Sequence, residues 1–156
     1  MDEHLKFMKL AVEECKRCPP DTDEIHPKVG AVIVKGDHVI KAFRNENGKG
    51  SHAEFLVFRK AKTQGVNVRG GSLYTTLEPC TYRNHEGKKS CAQHIMDNGI
   101  AHVFIGMIDN NPKISGGAIP ILQQANVRVT VLPDFLGELR ELNATFLAKK
   151  RQEKLS

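Results

Sequence analysis

Residues 51–91 contain three short segments in which potential metal ligands occur together with a carboxylate: Ser51-His52-Ala53-Glu54, Glu78-Pro79-Cys80 and Ser90-Cys91-Ala92. One imidazole and two thiols form a ligand set that suits zinc, and three protein ligands leave the fourth position of a tetrahedral ion open. Glu54 lies two residues after His52, close enough to move protons at that open position without being a ligand itself. Together the segments predict a catalytic zinc site with His52, Cys80 and Cys91 as metal ligands and Glu54 as the catalytic residue.

Glu54 also has a structural interpretation. Ser51-x-x-Glu54 fits the capping box that begins many helices, and Ala53, Leu56 and later apolar residues follow at helical spacing. Taken alone, the capping box would be the better explanation. Beside His52 and the two later cysteines, the catalytic role is the stronger one.

A structural zinc site is the rival of a catalytic one, since structural sites have four protein ligands. His85, in the loop between the two cysteines, is the nearby candidate for a fourth ligand. That arrangement would leave Glu54 without a role, so the open site is preferred, and His85 becomes a candidate substrate contact.

The composition is that of one globular domain over residues 1–156, with residues 145–156 as a helix end and basic tail. No apolar run is long enough to cross a bilayer, and the acidic start Met1-Asp2-Glu3-His4 does not resemble a signal peptide. Four cysteines without such a signal are typical of reduced thiols or metal ligands in a cytoplasmic protein. The net charge of +5 is compatible with phosphorylated or polynucleotide ligands, but a solvated basic tail is the simpler explanation.

Hydrophobic periodicity predicts an alternation of helices and strands. The expected helices cover residues 2–18, a segment from residue 51 onward, 90–98, 118–125 and 134–150, and the expected strands cover 30–35, 38–43, 72–77, 101–107 and 127–132. This order predicts a three-layer α/β/α domain of the α/β class around a five-stranded, partly parallel sheet. Cys15 and Cys18 form a C-x-x-C pair, but Cys15 belongs to an apolar helical stripe, so buried thiols are expected there rather than a metal or redox site.

The order His-x-Glu, Pro-Cys and a second cysteine resembles the signature of zinc-dependent base and nucleoside deaminases. The resemblance extends to the deaminase domain of bifunctional riboflavin-biosynthesis proteins and covers nearly the whole chain. Its further segments are His26-Pro27-Lys28-Val29-Gly30, Thr76-Leu77-Glu78-Pro79-Cys80, Gly99-Ile100, Asp109-Asn110-Asn111-Pro112 with Gly116-Gly117, and Glu141-Leu142-Asn143 with Phe146.

The resemblance implies a cytidine-deaminase-like fold with one Zn²⁺ per chain and a homo-oligomer, dimer or tetramer. It implies hydrolysis of an exocyclic amine on a pyrimidine-type base or nucleotide to a carbonyl with release of ammonia, with a phosphorylated diaminopyrimidine of riboflavin synthesis as the substrate. It also implies substrate contacts by Lys28, Asn45, Ala53, Thr76, Glu78, Asn84 and His85, with Lys113 and the Gly116-Gly117 loop as weaker candidates. For Asn45 a plain turn residue is an equally good interpretation.

Three features depart from the riboflavin family. No reductase domain follows in this sequence, and the ten residues between Cys80 and Cys91 make a slightly longer spacing than that family has. Lys28 occupies the position at which the family has asparagine. These departures are compatible with another aminated base or nucleotide as the substrate. A deaminase acting on cytosine or adenine in single-stranded nucleic acid or tRNA is a further alternative, which the basic net charge and the loop with Arg83, Lys88 and Lys89 would suit. With no Trp and 6% aromatic residues, stacking platforms for single strands are sparse. A non-catalytic zinc-containing nucleotide-binding protein is a third hypothesis, and no membrane partner is expected.

Overall fold

The computed structural model describes residues 2–20, 25–48, 50–81, 89–108 and 117–155. The helices are α1 (Glu3–Cys15), α2 (Ala53–Thr63), α3 (Cys91–Asp97), α4 (Ala118–Gln124), α5 (Leu136–Leu142) and α6 (Ala144–Leu155). The strands are β1 (Gly30–Lys35), β2 (His38–Phe43), β3 (Ser72–Thr75), β4 (His102–Ile105) and β5 (Arg128–Val131). No helix in these ranges has the length and apolar character that crossing a membrane requires.

The five strands form one mixed sheet in the order β2-β1-β3-β4-β5. β1 pairs antiparallel with both β2 and β3, while β3, β4 and β5 run parallel. A tight turn at Gly36, whose φ of 58° favours glycine, joins β1 to β2. The parallel strands need crossover connections, which contain α3 and α4. The expected five-stranded, partly parallel sheet is confirmed.

Helices cover both faces of the sheet. Val32, Tyr74 and Phe104 pack with Phe7 and Met8 of α1 on one face. The alternate strand residues pack against α2, α3 and α4 on the other face, in a core that includes Ala31, Ile33, Leu73, Val103, Ile105, Leu56, Val57, Ile95 and Leu122. Because successive strand side chains point to opposite faces, this alternation builds the predicted three-layer α/β/α arrangement.

At Gly30 the backbone of the sheet closely approaches the backbone of α1. A Cβ atom at this position would lie 1.9 Å from the carbonyl oxygen of Ala11 and 2.6 Å from the backbone nitrogen of Cys15. No side chain fits in that space, so glycine lets the backbone of β1 touch the backbone of α1. This contact fixes where the start of β1, and the segment before it, lie relative to α1.

The predicted strands at 30–35 and 38–43 are confirmed to the residue. The third strand is shorter than expected, because the pairing of β3 ends at Thr75 and the chain bends at residues 76–77. The prediction of a single helix over 134–150 was wrong. A 3₁₀ turn at Pro133–Phe135 precedes α5, and the helix is interrupted at Asn143 before α6 begins. The Asn143 side chain hydrogen-bonds the backbone of Lys28 there.

The C-x-x-C pair is buried, as expected. Cys15 and Cys18 are 0% and 8% exposed and are free thiols. Burial raises the pKa of the Cys15 thiol to about 12, and burial also raises the pKa of Cys18, whose thiol lies 3.4 Å from the carbonyl oxygen of Val29. Neither sulfur is a ready thiolate, so both behave as small core residues.

Candidate metal centre

Three separate elements bring His52, Cys80 and Cys91 together. His52 is the N-cap of α2, Cys80 lies in the loop five residues after β3, and Cys91 is the first residue of α3. Their ligand atoms lie within 4.8 Å of one another. His52 Nδ1 is 3.4 Å from Cys91 Sγ and 3.8 Å from Cys80 Sγ. These spacings suit three atoms arranged around one ion with metal–ligand distances of about 2.0–2.3 Å.

The start of α3 also fixes Cys80. The Cys91 backbone N–H donates to Cys80 Sγ at 3.2 Å, and the Ala92 N–H donates to the Cys80 carbonyl at 3.0 Å. Ser90 caps the helix, since its Oγ accepts from the Gln93 N–H at 3.1 Å. The first amides of a helix lack partners within it, and two of them are used here to hold the Cys80 segment.

The two thiols differ in their acidity. Hydrogen bonding from Cys91, followed by that from His52, lowers the pKa of Cys80 to about 4 despite burial. Hydrogen bonding to Cys80 and burial raise the pKa of Cys91, and the nearby Glu54 carboxylate raises it further. One imidazole and two thiols, one of them an easily formed thiolate, match the donors that zinc prefers, so the residues fit the ion.

Glu54 is held beside this group. Its side chain is 4% exposed, and its Oε1 accepts a hydrogen bond from Thr75 Oγ1 at 2.9 Å. The carboxylate is near enough to Cys91 to raise the pKa of that thiol. The capping-box interpretation is wrong, because the N-cap of α2 is His52 rather than Ser51 and no side chain caps this helix. The Glu54 carboxylate is thus buried next to the ligands and is not needed to begin the helix.

Asn45 shapes the loop immediately before His52. Its backbone N–H donates to the Ser51 carbonyl at 2.8 Å, and its Oδ1 accepts from the Ser51 N–H at 3.1 Å. Its φ of 63° is a left-handed conformation that asparagine tolerates better than most residues. The turn interpretation of Asn45 thus has structural support, while its contact with substrate stays a prediction.

The other described candidates are engaged in structural hydrogen bonds. Thr76 Oγ1 accepts from the Gly30 N–H at 3.0 Å, and Glu78 Oε2 accepts from the Ala118 N–H at 3.1 Å. Both side chains are buried, and Ala53 is 0% exposed. The Lys28 N–H donates to Asn143 Oδ1 at 2.6 Å. Substrate contact by these four residues stays a prediction.

Two candidate substrate contacts lie outside the described residues: Asn84 and His85. The same holds for Arg83, Lys88, Lys113 and Gly116. A fourth ligand from His85 is therefore untested, and within the described ranges the possible metal-holding group is His52, Cys80 and Cys91.

Sequence reasoning missed Thr75 and the structural role of Asn143. Thr75 lies opposite Ala31 in the sheet, on the face that packs against α2. A threonine at an inward position of a buried strand is the pattern that would have identified it, because a buried hydroxyl needs a partner. Asn143 gave no comparable pattern, since its partner lies 115 residues earlier in the chain.

The family described as the cytidine and deoxycytidylate deaminase zinc-binding region matches residues 1–107. A riboflavin biosynthesis protein RibD of Aquifex aeolicus is 35% identical over 149 residues, which cover 95% of this chain and 40% of that protein. The diaminohydroxyphosphoribosylamino-pyrimidine deaminase of Buchnera aphidicola is 38% identical over 124 residues, covering 79% of this chain and 80% of that protein. The chain thus spans less than half the length of several curated relatives that it matches.

Among solved structures, the Thermotoga maritima diaminohydroxyphosphoribosylaminopyrimidine deaminase/5-amino-6-(5-phosphoribosylamino)uracil reductase superposes with a TM-score of 0.81 at 29% identity. The match covers 96% of this chain and 42% of that one. The cytidine-deaminase-like fold that the sequence predicted is thereby confirmed.

Proposed function

We propose that this chain, which belongs to the zinc-binding cytidine and deoxycytidylate deaminase family, is a hydrolytic deaminase of a phosphorylated diaminopyrimidine. The observation that best supports the proposal is the meeting of His52, Cys80 and Cys91 within 4.8 Å, beside the buried carboxylate of Glu54. Three ligands and a separate acid–base group are what hydrolysis needs, whereas a structural site would use a fourth ligand.

His52, Cys80 and Cys91 would hold the zinc. When bound there, zinc lowers the pKa of a water molecule and so supplies a nucleophile at neutral pH. The Glu54 carboxylate accepts a proton from the attacking water and delivers it to the ring nitrogen beside the reacting carbon. Glu54 then takes the proton of the newly added hydroxyl group and passes it to the departing amine, which leaves as ammonia while the C–O bond becomes a carbonyl.

The surroundings of Glu54 suit this role in two ways. At 4% exposure its carboxylate is largely withdrawn from bulk water, so a proton that it accepts stays available for the substrate. The hydrogen bond from Thr75 fixes one carboxylate oxygen, which leaves the side chain a limited range of orientations. Both features support the proposal that Glu54 is the general acid–base residue.

The choice of substrate rests on the named relatives. The Buchnera protein, of which this chain covers 80%, is named for deamination of the diaminohydroxyphosphoribosylamino-pyrimidine. The ten residues between Cys80 and Cys91 also differ from the Pro-Cys-x-x-Cys spacing of nucleic-acid deaminases. We further propose a homo-oligomer, dimer or tetramer, which light scattering of the purified protein would test.

Ammonia release from a panel of substrates tests the proposed function. The zinc-loaded protein is offered the riboflavin-pathway aminopyrimidine nucleotide, cytidine and deoxycytidine with their phosphates, guanine, and short single-stranded DNA and RNA. Turnover of the aminopyrimidine alone is the expected result. Turnover of another small molecule instead would support the proposed deamination chemistry and show that the proposed substrate is wrong. Turnover of the oligonucleotides, with binding that falls steeply with salt, would favour a polynucleotide deaminase instead.

A further inference from the structure

Thr75 is the last residue of β3 and is fully buried at 0% exposure. Its hydroxyl oxygen lies 2.9 Å from Glu54 Oε1 and 3.0 Å from the carbonyl oxygen of Leu77. A hydroxyl has one proton, so it can donate to only one of these two acceptors at a time. An ionised carboxylate forms the stronger hydrogen bond, so the bond to Glu54 is preferred whenever Glu54 is charged.

The Glu54 carboxylate is therefore held by a hydrogen bond from the sheet. Thr75 binds one of its oxygens from the sheet at 2.9 Å, and Glu54 is 4% exposed. Glutamate has three side-chain torsions, and the last of them is broad and weakly restricted by itself. In the described part of the site, Thr75 is the residue from the sheet that fixes this torsion.

We infer that Thr75 is a positioning residue that orients the Glu54 carboxylate toward the metal ligands. The expected effect of Thr75 on turnover rests on the proposed function. The orientation of the Glu54 carboxylate by Thr75 is independent of that function. A purely structural role is the alternative, in which Thr75 satisfies the Leu77 carbonyl and its contact with Glu54 has no effect on turnover.

Two substitutions separate these roles. Thr75→Val keeps the shape of the side chain and removes the hydroxyl, while Thr75→Ser keeps the hydroxyl and removes a methyl group. Thr130→Val is the matched control, because Thr130 also has a hydroxyl on the sheet, bonded to His102 Nε2 at 2.7 Å, but lies on β5 away from the site. Zinc content and the melting temperature of every variant are measured first.

We expect Thr75→Val to bind one zinc and to lose about ten- to a hundredfold in kcat with KM nearly unchanged, since a hydrogen bond to a charged group is lost. Thr75→Ser should recover most of kcat, and Thr130→Val should match the parent protein. Crystal structures of the zinc-loaded variants supply a measurement that does not depend on activity. They should show the Glu54 carboxylate turned away from its place beside Cys91 in Thr75→Val and unmoved in Thr75→Ser.

The two proposals can fail separately. If the parent protein deaminates no substrate but Glu54 moves in Thr75→Val, the proposed function fails and the positioning role stands. If the parent protein is active, while Thr75→Val keeps its kcat and an unmoved Glu54, the positioning role is overturned and the function stands. A Thr75→Ser variant as impaired as Thr75→Val would also overturn it, because packing rather than the hydroxyl would then be responsible.

Discussion

The Cys91 N–H donates to Cys80 Sγ at 3.2 Å, so the backbone of one predicted zinc ligand binds the side chain of another. The Ala92 N–H adds a bond to the Cys80 carbonyl at 3.0 Å. Two protein hydrogen bonds thus join the loop after β3 to the start of α3. The apolar clusters on the two faces of the sheet do not include any of the three metal ligands.

Removal of the metal should therefore weaken the protein without unfolding it. We expect a strong chelator to lower the melting temperature while the far-ultraviolet circular dichroism stays native. Zinc at a hundred times its dissociation constant would stabilise the native state by about 2.7 kcal/mol through mass action. Loss of the native spectrum on chelation at room temperature would mean that the fold depends on the metal, as it does in zinc fingers.

Cys80→Ala and Cys91→Ala should each reduce the zinc content well below one per chain and abolish turnover. Each change removes a third of the predicted protein ligand set. Cys18→Ala is the matched control, because Cys18 is a buried thiol whose partner is the Val29 carbonyl. Atomic absorption on the purified variants measures the metal. If Cys18→Ala lost zinc and Cys91→Ala retained it, the ligand assignment would be wrong.

Gly30→Ala should prevent stable folding or cost more than the roughly 1–3 kcal/mol of ordinary overpacking, since its Cβ would overlap backbone atoms of α1 that have little room to move. Gly137→Ala is the control, because Gly137 lies within α5 and a Cβ there would meet nothing within 4 Å. This second change should stabilise the protein by up to about 1 kcal/mol through helix propensity. Urea unfolding of both variants provides the comparison, and a Gly30→Ala protein of normal stability would refute the close contact.

Asn143→Ala should lower the free energy of unfolding by about 1–3 kcal/mol, because it leaves the partly buried N–H of Lys28 without its acceptor. Asn67→Ala is the control, since Asn67 is exposed and its Oδ1 accepts only a local bond from the Arg69 N–H. It should change stability by no more than about 0.5 kcal/mol. Equal effects of the two changes would show that the long-range contact contributes little.

Much of the fold follows from local patterns in the sequence. The first two strands were predicted to the residue because β-branched residues fill them and a Gly36-Asp37 turn separates them. The four residues His52, Glu54, Cys80 and Cys91 were identifiable because metal-ligating residue types in a fixed order are rare by chance. Cys80 and Cys91 meet because a connection leads from the end of β3 to the start of α3. The predicted alternation of strands and helices already included this connection.

The errors came from contacts between distant parts of the chain. The interruption of the helix at Asn143 could not be predicted, because the apolar spacing continues across this position. The contact of Asn143 with the backbone of Lys28 accounts for the interruption. The end of β3 at Thr75 is likewise set by pairing, since Thr76 turns its hydroxyl to the backbone of Gly30. Residue types also could not show that His52, rather than Ser51, occupies the N-cap position of α2 and that no side chain caps this helix.

Glu54→Gln separates metal binding from proton transfer most directly, because glutamine keeps the shape of the side chain but cannot carry the proton. The zinc content and the ammonia release of this variant are measured together with those of the parent protein. We expect one zinc per chain in both proteins and a loss of turnover of about 10²–10⁴-fold in the variant. A Glu54→Gln protein that has lost its zinc would make Glu54 a ligand, and one that retains both zinc and full turnover would contradict its role as the acid–base residue.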